Sequence, residues 1–280
     1  MNLVQRVESL LELGNRIVSN EMETEAAIDR AHKQNPWFLP EFCRLSLQNI
    51  LQNFLSSQAL THLLTSYPSL SEEPTGKIVG IVMAGNIPGV GFHDLLCVYL
   101  AGHKARIKPS SRDEVLIRYL VDALVACEPK AKNLIEFADQ LPGADAYIAT
   151  GSNNSGRYFD YYFGRYPSII RKNRTSVAIL SGDESPAELN ALADDLMLYF
   201  GMGCRNVSCI LVPPAYDFLP LLKALDKYNW MSDIHRYKNN FDYQLSLLLL
   251  NQVPYITNGH VLVVENESVF SPISQIHYQE

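Results

Sequence analysis

From residue 77 onward, short and nearly uninterrupted apolar runs alternate with segments of helical spacing, and no other feature constrains the fold as strongly. Strands are expected at 77–83, 104–108 and 146–150, with helices at 92–100, 113–126 and 154–165 between and after them. A second block starts at Thr175, with a strand at 176–180, a helix at 187–200, a strand at 207–212 and helices over 216–228 and 239–250. Strands apolar throughout their length, each separated from the next by a helix, predict parallel sheets covered on both faces. The first 70 residues carry apolar positions such as Phe42, Leu45, Ile50, Leu51 and Leu55 at helical spacing, and 66–76 is a turn-rich linker. The simplest organisation is a unit over 1–172 with N-terminal helices and a unit over 173–280. Ligands of such sheets bind beyond the carboxyl ends of strands, where the glycine-rich turns of this chain are expected to fall.

The chain's chemistry narrows the partners. A net charge of −7 over 280 residues argues against nucleic acid, which needs a basic footprint. A phosphorylated small molecule held by a few local cations remains compatible with it. Residues 1–8 mix charges with apolar residues and contain no signal-peptide core, and the apolar stretch at 245–250 is too short to span a bilayer. Five cysteines, with no CxxC pair and no zinc spacing, fit a reducing cytoplasm and predict no metal.

Four turns carry the candidate site. Cys204 stands in Gly201-Met202-Gly203-Cys204-Arg205-Asn206, where glycines let a ligand approach and a neighbouring cation favours the thiolate. An inert cysteine at a turn is the plainer alternative, and Arg205 serves equally as a surface ion-pair partner. Asn86, in 83–91, offers a neutral donor for an oxyanion, or caps a helix. Lys108 and Ser110, leaving the second strand, suit a nucleotide's ribose or phosphate, while Ser111 is the expected cap of the next helix. Gly151 and Ser152 open a helix whose free N–H groups would cradle a pyrophosphate, or form an ordinary capped turn. His93, His103, His235 and His260 show no pairing pattern and read as structural or surface residues. Cys209 reads as core, and the aromatics of 158–163 as helix packing rather than an acyl tunnel.

Taken in order, Asn-x-Pro at 86–88, Lys-Pro-Ser at 108–110, Thr-Gly-Ser at 150–152 and Gly-x-Gly-Cys at 201–204 resemble the aldehyde dehydrogenase superfamily series. More narrowly, 84–92, Arg-Lys-Asn-Arg-Thr-Ser-Val-Ala at 171–178 and Cys204-Arg205-Asn206 resemble its acyl-CoA reductase branch, the LuxC-type fatty acid reductases. The resemblance covers roughly 75–275. It implies an aldehyde dehydrogenase-like α/β fold, two open parallel-sheet lobes behind an N-terminal helical segment, with the catalytic lobe incomplete at Glu280. It implies Cys204 as covalent nucleophile, Asn86 as oxyanion donor, Lys108 and Ser110 at the adenosine ribose, and Gly151 and Ser152 at the pyrophosphate.

Three departures from the superfamily pattern refine this. Ser111, with Arg112 beside it, replaces a glutamate that selects NAD, so NADP(H) is expected. Arg171 falls where hydrolytic members carry a water-activating glutamate, so transfer to a thiol such as coenzyme A is favoured over hydrolysis. Ser268, in 268–272, replaces the glutamate that holds the nicotinamide ribose. The implied reaction is NADPH-dependent reduction of a long-chain acyl-CoA, or acyl-protein, to the aldehyde through acyl-Cys204. The alternatives are an acylating aldehyde dehydrogenase working oxidatively, an acyltransferase subunit passing the Cys204 thioester to a partner, and a silent nucleotide-binding scaffold. A homo-oligomer is compatible with each.

Overall fold

The structure is a computed structural model that describes residues 1–71 and 76–280; part of the predicted linker, 72–75, lies outside the described residues. The chain divides into two compact units, Met1–Asn173 and Arg174–Glu280.

The first unit opens with four helices, α1 (Leu3–Ser19), α2 (Glu21–Gln34), α3 (Pro40–Asn53) and α4 (Ser57–Ser66). Asn2 and Gln5 form a reciprocal capping box at the start of α1. The alternating part follows as β1 (Ile78–Val82), α5 (Phe92–Leu100), β2 (Lys104–Lys108), α6 (Glu114–Cys127), β3 (Ile135–Phe137), β4 (Ala146–Thr150), α7 (Asn153–Phe163) and β5 (Ser168–Arg171). The strands lie in the order β3-β2-β1-β4-β5, all parallel. Strand order therefore reverses at β1 and β4, and a crevice opens at such a switch point beyond the carboxyl ends of the strands.

One apolar cluster joins the helical start to the sheet. Leu10, Leu13 and Ile28 pack with Leu116, Leu120 and Leu124 of α6 and with Ile81 and Ile107 of the two central strands. Polar ties fix the same layer: buried Arg6 donates from Nε to the Leu100 carbonyl at 3.1 Å, and Ser9 bonds the Tyr99 hydroxyl at 2.8 Å.

The second unit contains β6 (Ser176–Ile179), α8 (Pro186–Met197), β7 (Val207–Leu211), α9 (Leu219–Leu225), α10 (His235–Leu250), β8 (Ile256–Thr257), β9 (Leu262–Glu265) and β10 (Gln275–Gln279). Its sheet runs β6-β7-β10-β9-β8, parallel except for the edge strand β8, which runs antiparallel to β9. Ser185 and Glu188 box the start of α8, with Pro186 as its first residue.

Several expectations need correction. The helix predicted to reach residue 200 ends at Met197, because Tyr199 (φ 55°), Phe200 (φ 58°) and Gly201 (φ 71°) turn left-handed in succession. Residue 113 caps α6 in place of Ser111. The aromatics of 158–163 divide: Phe163 stacks on Tyr147 with ring centroids 4.2 Å apart, whereas Tyr158, Tyr161 and Tyr162 are exposed. Strands β3, β5, β8, β9 and β10 have no counterpart among the strands expected from the sequence.

Candidate functional site

In the first unit, three candidate turns leave the same end of one sheet. Val82 of β1 is in register with Lys108 of β2 on one side and Ala149 of β4 on the other. The turns bearing Asn86, Ser110 and Ser152 therefore start at one level, and those after β1 and β4 flank the switch point. Asn86 is half-buried in the first of them; Lys108 and Ser152 are exposed.

The turns after β1 and β2 interlock. A side chain at Gly85 would bring its Cβ within 2.5 Å of the Ser110 Cβ and Oγ, so only glycine allows this approach. Asp113, 2 % exposed, accepts the Gly89 N–H at 2.8 Å through Oδ2. Its Oδ1 is buried with no hydrogen-bond partner among the described residues. Burial pushes this carboxyl well above the usual carboxylate range, the single N–H bond opposing only part of the effect.

The helical start supports both turns, a role the sequence did not reveal. Ser46 of α3 donates to the Pro88 carbonyl at 2.6 Å. Gln34, the last residue of α2, donates to the Ser111 carbonyl at 2.8 Å, and Asn35 to the Arg112 carbonyl at 3.2 Å. The side chains of Ser111 and Arg112 are exposed.

At the third turn the Ser152 hydroxyl accepts the Ser155 N–H at 3.2 Å, an N-cap. A Cβ on Gly151 would lie 2.9 Å from Phe159 and 3.0 Å from Ser155, so its bareness serves the packing of α7 itself. A cap leaves the remaining first-turn N–H groups free to face an anion. Lys108, the hydroxyls of Ser110 and Ser152 and the start of α7 are donors whose chemistry suits an anionic dinucleotide.

Arg171, at the end of β5, is paired with a carboxylate. Its Nη1 donates at 2.8 Å to both oxygens of Asp94 in α5. Asp94 is 7 % exposed; burial acts to raise its pKa, but the neighbouring His93 and the hydrogen bonds from Arg171 together hold it below the usual carboxylate range.

In the second unit, Cys204 is exposed in the turn entering β7. The expectation that every glycine-rich turn lies at a strand's carboxyl end fails here, because α8 hands the chain directly to the amino end of β7. The turn is cross-braced by Asn206, part of the motif named above, whose bracing role the sequence does not reveal. Its Oδ1 accepts the Gly203 N–H at 2.8 Å, and its Nδ2 donates to the carbonyls of Asp195 (2.7 Å) and Leu198 (3.1 Å). Consecutive non-glycine residues in the left-handed region are costly, and such strain concentrates at functional sites. Arg205 is exposed and forms no salt bridge among the described residues.

The 266–272 loop comes to the same edge of this sheet. Ser208, at the start of β7, donates to the Val269 carbonyl at 2.5 Å. Ser268 turns inward on its own loop, its Oγ bonding both the carbonyl and the N–H of Phe270 at 3.2 Å. His277 pins the loop through the Ser268 carbonyl at 2.7 Å. Cys209 is buried, as expected. No cluster of metal-ligating side chains occurs among the described residues, and no helix there is long and apolar enough to cross a membrane.

No family model matches the chain, and no curated protein matches it in sequence. Solved structures do match in fold. A putative aldehyde dehydrogenase from Burkholderia cenocepacia superposes with a TM-score of 0.70 at 12% identity, covering 100% of this chain and 70% of that one. Aldehyde dehydrogenase 21 from Physcomitrella patens, solved with its reaction product succinate, gives 0.74 at 12% identity, covering 100% and 69%. Glyceraldehyde-3-phosphate dehydrogenase GapN from Methanocaldococcus jannaschii, complexed with NADP, gives 0.68 at 14% identity, covering 99% and 71%. The fold is aldehyde dehydrogenase-like, with parallel sheets and flanking helices.

Proposed function

We propose that this chain is a nicotinamide-dependent oxidoreductase of aldehyde chemistry, and more narrowly an acyl-thioester reductase that forms a covalent acyl-Cys204. The observation that carries the reading is the exposed thiol of Cys204 on a braced turn entered through consecutive left-handed residues. A sulfur kept out of the core at a conformational cost is an arrangement suited to attack rather than to packing.

In this reading the Cys204 sulfur attacks the thioester carbonyl of an acyl-CoA or acyl-protein, and the thiol of the donor leaves. Asn86 donates to the oxyanion from the turn after β1. Lys108 and Ser110 hold the adenosine ribose of NADP(H), and Gly151 and Ser152 present the start of α7 to the pyrophosphate. A bound nicotinamide supplies the hydride that takes an acyl group to the aldehyde level. Exposed Ser111 and Arg112, with no carboxylate between them, tolerate a 2′-phosphate, which supports NADP(H) over NAD(H). Arg171 supports transfer to a thiol over hydrolysis: a guanidinium bonded to Asp94 cannot take a proton from water. Solved structures of the same fold bound to NAD or NADP add support for a nicotinamide cofactor.

Incubation with a long-chain acyl-CoA should give a mass adduct that is lost in Cys204→Ala, together with oxidation of NADPH. Absence of the adduct in the unmodified chain would overturn the reading. One observation favours a second reading, acyl transfer to a partner subunit without redox chemistry. Ser268 spends its hydroxyl on Phe270 and offers no carboxylate to a nicotinamide ribose. An adduct formed without NADPH oxidation would select it.

A further inference from the structure

Helix α5 holds a second group of reactive side chains, remote in role from those above. Residues four apart share a helix face, and Cys97 lies over His93, its Sγ 3.8 Å from Nε2. The other ring nitrogen, Nδ1, is 3.7 Å from Oδ1 of Asp94. Asp94 is held by Arg171 of β5, which also reaches the Thr150 hydroxyl of β4 at 3.4 Å. Phe54, just past the end of α3, packs on the imidazole with ring centroids 5.3 Å apart. The neighbouring Asp94 carboxylate and then the contact with Cys97 push the His93 imidazole up to about 10, so it is a cation at neutral pH.

The other thiols outside the Cys204 turn differ. Cys43 is buried and pushed up to about 12, chiefly by burial, and burial also raises Cys127 and Cys209. Cys97 is partly exposed, and a cation touches its sulfur. A cation at this distance can hand a proton to a group bonding the sulfur.

We propose that Cys97 is a second nucleophilic thiol of this protein, set by His93 and Asp94 to capture α,β-unsaturated aldehydes. Conjugate addition needs a sulfur nucleophile and an acid beside it, and Cys97 and His93 stand in that relation, Sγ 3.8 Å from Nε2. The sulfur forms a C–S bond to the β-carbon, and the C=C electron pair shifts to give an enolate. The α-carbon takes the proton from His93 Nε2, which water then restores. The thiol's own hydrogen thereby balances the adduct, and no oxidant or reductant enters. Asp94 keeps the ring charged and oriented. The inference is independent of the Cys204 chemistry, because it requires neither acyl-CoA nor a nicotinamide.

The test uses the full chain carrying Cys204→Ser, exposed briefly at neutral pH to limiting trans-2-hexenal, with the extent of modification read at each cysteine by peptide mass spectrometry. Cys97 is expected to react at least about tenfold faster than Cys127. His93→Gln should remove most of that advantage, with a single cooperative thermal melt showing that the variant still folds. In the parent chain the advantage should shrink as the pH rises through about 10, where His93 loses its proton. Equal rates at Cys97 and Cys127, or an undiminished rate in His93→Gln, would overturn the proposal. Labelling by N-ethylmaleimide without any by the enal would overturn the assigned electrophile class.

Discussion

The two units hold their candidate loops by different means. In the first, the turns after β1 and β2 are wedged together by Gly85 against Ser110 and clamped from outside by Ser46, Gln34 and Asn35. In the second, the cysteine turn depends on one buried side chain, Asn206, and on backbone held left-handed at Tyr199 and Phe200. Packed loops present backbone N–H groups at fixed positions, which suits a large ligand with repeated anionic groups. A hydrogen-bonded turn at the amino end of a strand presents one side chain, which suits chemistry at a single atom.

The largest expected effect tests the division of labour directly. If the first unit supplies the oxyanion donor, Asn86→Ala should lower kcat about 10²–10³-fold with little change in KM for the acyl donor. Steady-state NADPH oxidation measures it, and a change confined to KM would transfer Asn86 to the binding side. Next, Asn206→Ala removes three hydrogen bonds from a buried side chain and should cost about 3 kcal/mol. Denaturant unfolding should show that loss, with nucleotide binding by the first unit retained in the folded chain.

Gly85→Ala should act in the opposite unit. Its Cβ collides with Ser110, at a cost of about 2 kcal/mol from overpacking. NADP(H) affinity should fall in titrations while Cys204 still acylates. The smallest effect is at Asp113. The unfolded chain releases this proton near pH 4, whereas the folded chain keeps it far above, so folding bears a cost that grows as the pH rises between those values. Asp113→Asn should therefore raise Tm at pH 7 and leave it nearly unchanged below about pH 4. An equal gain at both pH values would mean that the carboxyl is not held neutral.

Legibility in the sequence followed from locality. Strands β1, β2, β4 and β7 and helix α5 are written in runs of consecutive apolar or helix-spaced residues, so the period alone reveals them. Val261–Val264 is such a run too, but four residues are too few for the period to separate a strand from a buried helical turn. Strand β5 is at the edge of its sheet, and half of its residues face outward, so its pattern is weak. The i, i+4 spacing of His93 and Cys97 was visible on a helix correctly bounded at 92–100, but nothing local showed that Asp94 would be neutralised by Arg171, 77 residues away.

The sequence by itself determined the alternation, hence parallel sheets, and the glycine, lysine and cysteine turns that punctuate it, because these depend on side-chain period and backbone permissiveness over a few residues. Tertiary structure alone decided the strand order that opens a crevice between β1 and β4 and the left-handed kink before Cys204. It also set the burial of Asp113 and the pairing of Arg171 with Asp94. Each of those depends on groups distant in the chain sharing a space from which water is excluded, where an unpaired charge or an added methyl is costly.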